Sequence, residues 1–268
     1  MPTVTSIVIA TSSDEYSTGL SNITLTEAGT TTVYLNGTID DANGDLDLNS
    51  VHTKFYRTNL TESCSDDLNN CYTNATSTCT IANADGTPED TEANFSCPIE
   101  LPYYADATGD GGRYDEDWTA YVTVIDNSAG EGVGTSTVEV NALLAVDIPT
   151  SIDYGSLGTG ETTSTPMSIT QHGNESVDLW VSGTEMSCDN GNDIPVGNQA
   201  WALDDLGYAS SEALTGSSTD TDFGLGYREN GTGVVAEDLW WSILIPSGVL
   251  GSCTGTTTVV ALSSDVVL

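Results

Sequence analysis

The stretch Asp117-Trp118-Thr119-Ala120-Tyr121-Val122-Thr123-Val124-Ile125-Asp126 decides the fold class. Trp118, Ala120, Val122 and Val124 fall on one side of an extended chain, and Thr119, Tyr121 and Thr123 on the other. A period of two in β-branched and aromatic residues is the pattern of a strand with one buried face. Asn127-Ser128-Ala129-Gly130-Glu131-Gly132 interrupts it, and Thr135-Ser136-Thr137-Val138-Glu139-Val140 resumes the alternation. Two such strands around a Gly-rich tip make a hairpin, the closing unit of many β-sandwiches.

The rest of the chain extends the pattern. Short β-formers recur at 4–10, 22–26, 31–39, 51–57 and 99–104, with Gly, Asn and Asp between them. In the second half the same reading covers 166–170, 176–183, 200–203, 223–227, 239–246 and 256–262. No segment carries the 3.6-residue apolar stripe of an amphipathic helix, so the expected class is all-β. At 268 residues there is room for two sandwiches. Pro149 blocks a continuing ladder, which places the domain boundary near 147/148. The expected organisation is therefore an N-terminal strand over 1–12, a first sandwich over 13–147 and a second over 148–268. Between Cys64 and Cys97 the chain is polar and turn-rich, a loop insertion in need of covalent staples.

Charge excludes some partners. Forty acidic residues stand against four basic ones, a formal net charge of −36. Phosphate recognition needs clustered Lys and Arg, so nucleic acid and anionic membrane surfaces are not expected partners. No apolar run approaches bilayer length, so membrane insertion is not expected. Met1-Pro2-Thr3-Val4 has neither a basic nor an apolar leader region, as in a mature or truncated secreted chain.

Six cysteines, Cys64, Cys71, Cys79, Cys97, Cys188 and Cys253, form an even set without zinc-ligand spacing, which reads as disulfides in an oxidising compartment. Pairing within halves gives Cys64–Cys71, Cys79–Cys97 and Cys188–Cys253, with the first four open to other connectivities. The expected location is extracellular or at the cell surface.

Five groups of residues carry functional expectations. Asp40, Asp41, Asn43, Asp45 and Asp47 surround Gly44 and supply oxygen ligands of the kind calcium takes, although the full EF-hand spacing is absent. A second acidic cluster is Asp106, Asp110, Asp115, Glu116 and Asp117. Seven Asn-x-Ser/Thr acceptors, Asn22, Asn36, Asn59, Asn74, Asn94, Asn174 and Asn230, are candidate N-glycan sites, against roughly four by chance in so Ser/Thr-rich a chain. Val4–Ala10 is a short apolar strand followed by a polar leash. It reads as a first strand of its own sheet or as one donated to a neighbouring copy, with Val4, Ile7, Val8 and Ile9 as subunit contacts. Of the adjacent Trp240 and Trp241, Trp241 shares a face with Leu239 and Ile243 and belongs to the core, leaving Trp240 for packing under a loop, sugar stacking or a subunit contact. No Ser/His/Asp or Gly-x-Ser-x-Gly constellation is present, so an enzyme is not expected and no cofactor is required.

These motifs resemble secreted immunoglobulin-like surface proteins of bacteria and archaea. In the first half the resemblance rests on Asn36–Asp45, Phe55-Tyr56-Arg57, Tyr103–Thr108 and Asp117–Asp126; in the second, on Ile152–Leu157, Gly173-Asn174 and Val181–Thr184. With Val4–Ala10, the arrangement is similar to subunits of glycosylated extracellular fibrils joined by strand donation. The resemblance implies two tandem immunoglobulin-like sandwiches and a homopolymer built by a donor-type strand. An adhesin or carbohydrate-binding module, using Trp240 or the Cys64–Cys97 loop on surface glycans, is the alternative.

Overall fold

The computed structural model describes residues 1–14, 17–74, 78–82, 90–109, 115–229 and 233–264. The protein is all-β, with two β-sandwich units in tandem; the first ends at Leu143 and the second begins at Leu144.

The first unit contains β1 (Pro2–Ala10), β2 (Asn22–Ile23), β3 (Thr30–Asp41), β4 (Leu48–Arg57), β5 (Cys71–Asn74), β6 (Thr80–Ala82), β7 (Glu92–Pro102), β8 (Trp118–Asp126) and β9 (Glu131–Val140). One sheet has the order β1-β3-β7-β6 and the other β2-β9-β8-β4-β5. The chain changes sheet between β1 and β2, β2 and β3, β3 and β4, β5 and β6, and β7 and β8. This is the Greek-key order of an immunoglobulin sandwich with two added strands, β2 and β5, flanking β9-β8-β4. β2 pairs with β9 in parallel, and the other strand pairs of this unit are antiparallel.

The core follows from alternation. Trp118, Ala120, Val122 and Val124 of β8 are fully buried, facing Val33, Leu35 and Ile39 of β3 and Ala93, Phe95, Cys97, Ile99 and Leu101 of β7. Phe55, Trp118 and Tyr72 stack at centroid distances of 5.1 and 5.5 Å.

Several expectations are corrected here. The segment 1–12 does not stand apart: β1 pairs with β3 from Pro2↔Asp41 to Ala10↔Tyr34, with an irregularity between Val4 and Ser6. Ile9 and Ala10 are buried, and Val4 and Ile7 pack on the same core, because the apolar face of β1 covers the sandwich edge. The Cys64–Cys97 region is not wholly loop, since β5, β6 and the first half of β7 lie in it. Ala93, Phe95 and Cys97 alternate inward among polar neighbours, which masked the strand. Pro149 does not mark the boundary, because Val146–Asp147 already pairs with the second unit and Val146 and Ile148 pack on its core.

The second unit contains β10 (Val146–Asp147), β11 (Thr162–Gln171), β12 (Val177–Gly183), β13 (Ser187–Gly191), β14 (Gln199–Ala202), β15 (Glu212–Ala213), β16 (Thr219–Asp220), β17 (Ala236–Leu244), β18 (Val249–Thr254) and β19 (Thr257–Ser263). Sheet β10-β11-β17-β14-β15 packs on sheet β16-β12-β19, and β13 pairs with β18. Val177, Leu179 and Val181 meet Ile169, Leu239 and Trp241 in the core, while Trp180 and Trp240 are half-buried on the opposite faces of their strands.

Candidate functional site

The most chemically loaded position is one end of the first sandwich. β3 alternates inward through Val33, Leu35 and Ile39 and ends on Asp41; β8 alternates inward through Val122 and Val124 and ends on Asp126. The two strands lie in opposite sheets, so the same period that builds the core delivers a carboxylate from each sheet to its end. Asp41 is 0% and Asp126 3% exposed.

Asp47 is the third member. The chain leaves β3 through a turn at Gly44 (φ 101°), passes a short 3-10 segment at Asp45–Asp47, and enters β4, whose Leu48 pairs with Asp126. That register places Asp47 next to the end of β8, where its carbonyl accepts from Asn127 N at 2.7 Å. Asp41, Asp47 and Asp126 offer carboxylate oxygens that all lie within 4.8 Å of one another.

The neighbouring hydrogen bonds orient these groups. Asp41 Oδ1 accepts from Asn43 N at 2.9 Å, whereas Asp41 Oδ2 is buried without a hydrogen-bond partner. Asp126 Oδ1 accepts from Gly130 N at 2.6 Å and Ser128 N at 2.9 Å. The Gly130 amide first, then Ser128 and the nearby amino terminus, hold the Asp126 carboxyl below the usual carboxylate range, against the opposing effect of burial. A Cβ on Gly130 would lie 2.5 Å from Asp126 Oδ2, so only glycine leaves that oxygen room. The Met1 amino group lies 3.5 Å from Asp41 Oδ1 and 3.6 Å from Asp126 Oδ2.

Of the five residues expected as calcium ligands, the structure brings together Asp41 and Asp47. Asp40 and Asn43 are exposed, Asp40 because it falls on the opposite pleat from Asp41. Asp45 is buried but is not part of the cluster. Asp126, distant in sequence, was missed. Its signal was present, since it continues the inward period of Val122 and Val124. A second grouping, Asp178, Asp220 and Asp222, has two exposed members, and Asp178 Oδ1 accepts from Phe223 N at 2.9 Å.

The other acidic cluster serves a buried cation. Arg57 Nη1 donates to Asp106 Oδ2 at 2.6 Å, and Arg57 Nε lies 3.2 Å from Glu116 Oε2. Trp118 Nε1 donates to the Asp106 carbonyl at 2.9 Å, which fixes the loop after β7 against the start of β8. Asp110 lies outside the described residues.

The cysteines pair as Cys64–Cys71, Cys79–Cys97 and Cys188–Cys253. The sequons separate by environment. Asn22 and Asn59 are exposed, and Asn94 is half-buried. Half-buried Asn74 uses its Nδ2 to donate to Pro98 O at 2.6 Å. Asn36 is 1% exposed and its Nδ2 donates to Ser12 O and Asp14 O at 2.8 and 3.2 Å, so the nitrogen a glycan would occupy is enclosed. Asn174 is 2% exposed. Both are buried in the folded chain, while Asn230 lies outside the described residues.

Fold and site together define a disulfide-bonded tandem β-sandwich protein with a buried carboxylate cluster. No family model matches the chain, and no curated protein matches it in sequence. Solved structures are similar in fold. A chain of the chaperone–tip adhesion subunit pre-assembly complex from archaic chaperone-usher Csu pili of Acinetobacter baumannii is 14% identical, over 90% of this chain and 96% of that one, with a TM-score of 0.39. A chain of a chaperone–tip adhesin complex of CFA/I fimbriae biogenesis is 12% identical, over 97% of this chain and 84% of that one, at 0.36. The α-L-rhamnosidase of Streptomyces avermitilis is 11% identical, over 98% of this chain and 24% of that one, at 0.30. At these identities and TM-scores they assign no ligand, partner or activity to the chain.

Proposed function

We propose that the chain is a non-enzymatic structural subunit of an extracellular surface appendage whose copies join into a homopolymer by exchanging β1. The observation that carries this reading is the seat of β1. It is the edge strand of its sheet, paired on one side to β3, and it also crosses β9. Glycines line its seat: a Cβ would lie 2.1 Å from Ser6 O at Gly37 on the paired strand β3, and 2.3 Å from Pro2 O at Gly132 and 2.7 Å from Val4 Cγ1 at Gly134 on β9. A groove cut to one terminal strand accepts the same strand from another copy, and the same contacts re-form at little net cost. Three disulfides support an oxidising, extracellular setting. The exposed Asn22 and Asn59 would carry its glycans.

The test is a covalent lock in cis. Thr3 and Asp40 are exposed partners across β1 and β3, so Thr3→Cys with Asp40→Cys pins the strand to its own sheet. Purified chains with this lock are expected to remain monomeric by light scattering and electron microscopy, while the unmodified chain and Thr3→Cys alone form filaments. Filaments of normal yield from fully locked chains would overturn strand exchange.

A second reading, a glycan-binding module, is supported by a cavity of about 490 Å³ lined by Tyr72, Leu68, Asp66, Asp67 and Glu100, an aromatic face among carboxylates. Glycan-array binding lost in Tyr72→Ala but kept in Trp240→Ala would favour this cavity; the reverse would favour Trp240.

A further inference from the structure

We propose that Asp41, Asp47 and Asp126 bind one calcium ion, which fastens the two sheets of the first unit to each other at that end. The first observation is convergence: three carboxylate oxygens lie within 4.8 Å of one another, one from each sheet and one from the turn between them. A cation that holds oxygens at 2.3–2.6 Å spans donors up to about 5 Å apart, and calcium takes carboxylate oxygens at such distances. The second observation is independent of clustering. Asp41 is 0% exposed and its Oδ2 has no hydrogen-bond partner, although a buried acceptor without one is costly. The polypeptide satisfies Asp41 Oδ1 and Asp126 Oδ1 with backbone N–H groups, leaving Asp41 Oδ2 without a hydrogen-bond partner and Asp126 Oδ2 with the Met1 amino group at 3.6 Å.

The local sequence fits a metal that uses oxygen alone, since neither Cys nor His joins the cluster. Gly44 with its positive φ turns the chain back so that Asp47 faces Asp41, and Gly130 leaves the Asp126 carboxylate uncrowded. The Met1 ammonium near Asp41 and Asp126 occupies the approach with a single positive charge, which a divalent ion would displace. The affinity expected of a site with three carboxylates in an extracellular module is about 10⁻⁴–10⁻³ M.

The experiment uses the full chain after chelation and exchange into metal-free buffer. Titration with calcium chloride, followed by calorimetry and thermal unfolding, is expected to give one calcium per chain and a rise of about 5–10 °C at a hundredfold excess over Kd. Asp126→Asn keeps an oxygen for the Ser128 and Gly130 amides and Asp47→Asn changes a half-buried residue, so both are expected to fold; each should weaken calcium at least tenfold. Asp178→Asn should bind as the parent does, and acetylation of the amino terminus should not weaken binding. Absence of heat and of any thermal shift at 10 mM calcium would overturn the proposal. An undiminished shift in both Asp47→Asn and Asp126→Asn would overturn it equally, placing the ion among the other acids.

Discussion

Among single residues, Arg57 bears the clearest energetic burden. It is 8% exposed and meets Asp106, itself 3% exposed, so its charge and that of its partner are both withdrawn from water. A buried pair of this kind contributes little net stability against an apolar replacement, but breaking it is expensive, because one charge remains behind without a counterion. Arg57→Ala is therefore expected to destabilise the first unit by about 3–5 kcal/mol in chemical denaturation. Arg57→Met combined with Asp106→Leu should recover most of that loss, with Glu116 turning to the solvent it already partly reaches. A double variant no better than the single one would mean that the loss does not come from a stranded Asp106 charge.

Among elements, β1 depends on what its neighbours omit. Gly37 of β3 pairs with Ile7 beside it, and a Cβ there would stand 2.1 Å from Ser6 O and 2.6 Å from the Phe95 ring, so strand or ring must move. Gly37→Ala is expected to cost about 1–3 kcal/mol and to raise amide exchange along β1 ahead of β8, as measured by hydrogen exchange. Protection of β1 equal to that of the parent would mean that the ring, and not the strand, had yielded. The sequence made β8 readable because Trp118, Ala120, Val122 and Val124 alternate inward without a break, and the end of β9 because Val138 and Val140 do the same. β7 was half hidden because Glu92, Asn94 and Ser96 lie between its inward residues and merge with the polar segment before it. The carboxylate cluster was half legible for a related reason. Asp41 and Asp47 share one Asp/Asn/Gly-rich turn, whereas Asp126 joins them through the pairing of β4 with β8, which no local pattern encodes. The burial of Asn36 was not legible because the Ser12–Asp14 segment that its amide meets is remote in sequence.

At the scale of the whole molecule, the excess of forty acids over four bases means that compaction gathers like charge. Unfolding relieves that repulsion, so neutral salt should stabilise the fold until the screening length, about 30 Å at 0.01 M and about 8 Å at 0.15 M, falls below the spacing of surface charges. Melting temperature is thus expected to rise with sodium chloride from 0.01 M and flatten beyond physiological strength. Association should respond more steeply, since two approaching copies each bring a net charge of −36. If copies join by exchanging β1 as proposed, the association rate should grow over the same interval, while dissociation, which must break the backbone hydrogen bonds of β1, should change little. Calcium chloride at matched ionic strength separates screening from binding. It should add a thermal increment on top of the sodium chloride plateau, and Asp47→Asn should remove that increment while leaving the sodium chloride curve unchanged. If calcium and sodium curves coincide at equal ionic strength, the cluster holds no ion and its buried carboxylates respond to salt only as the surface does.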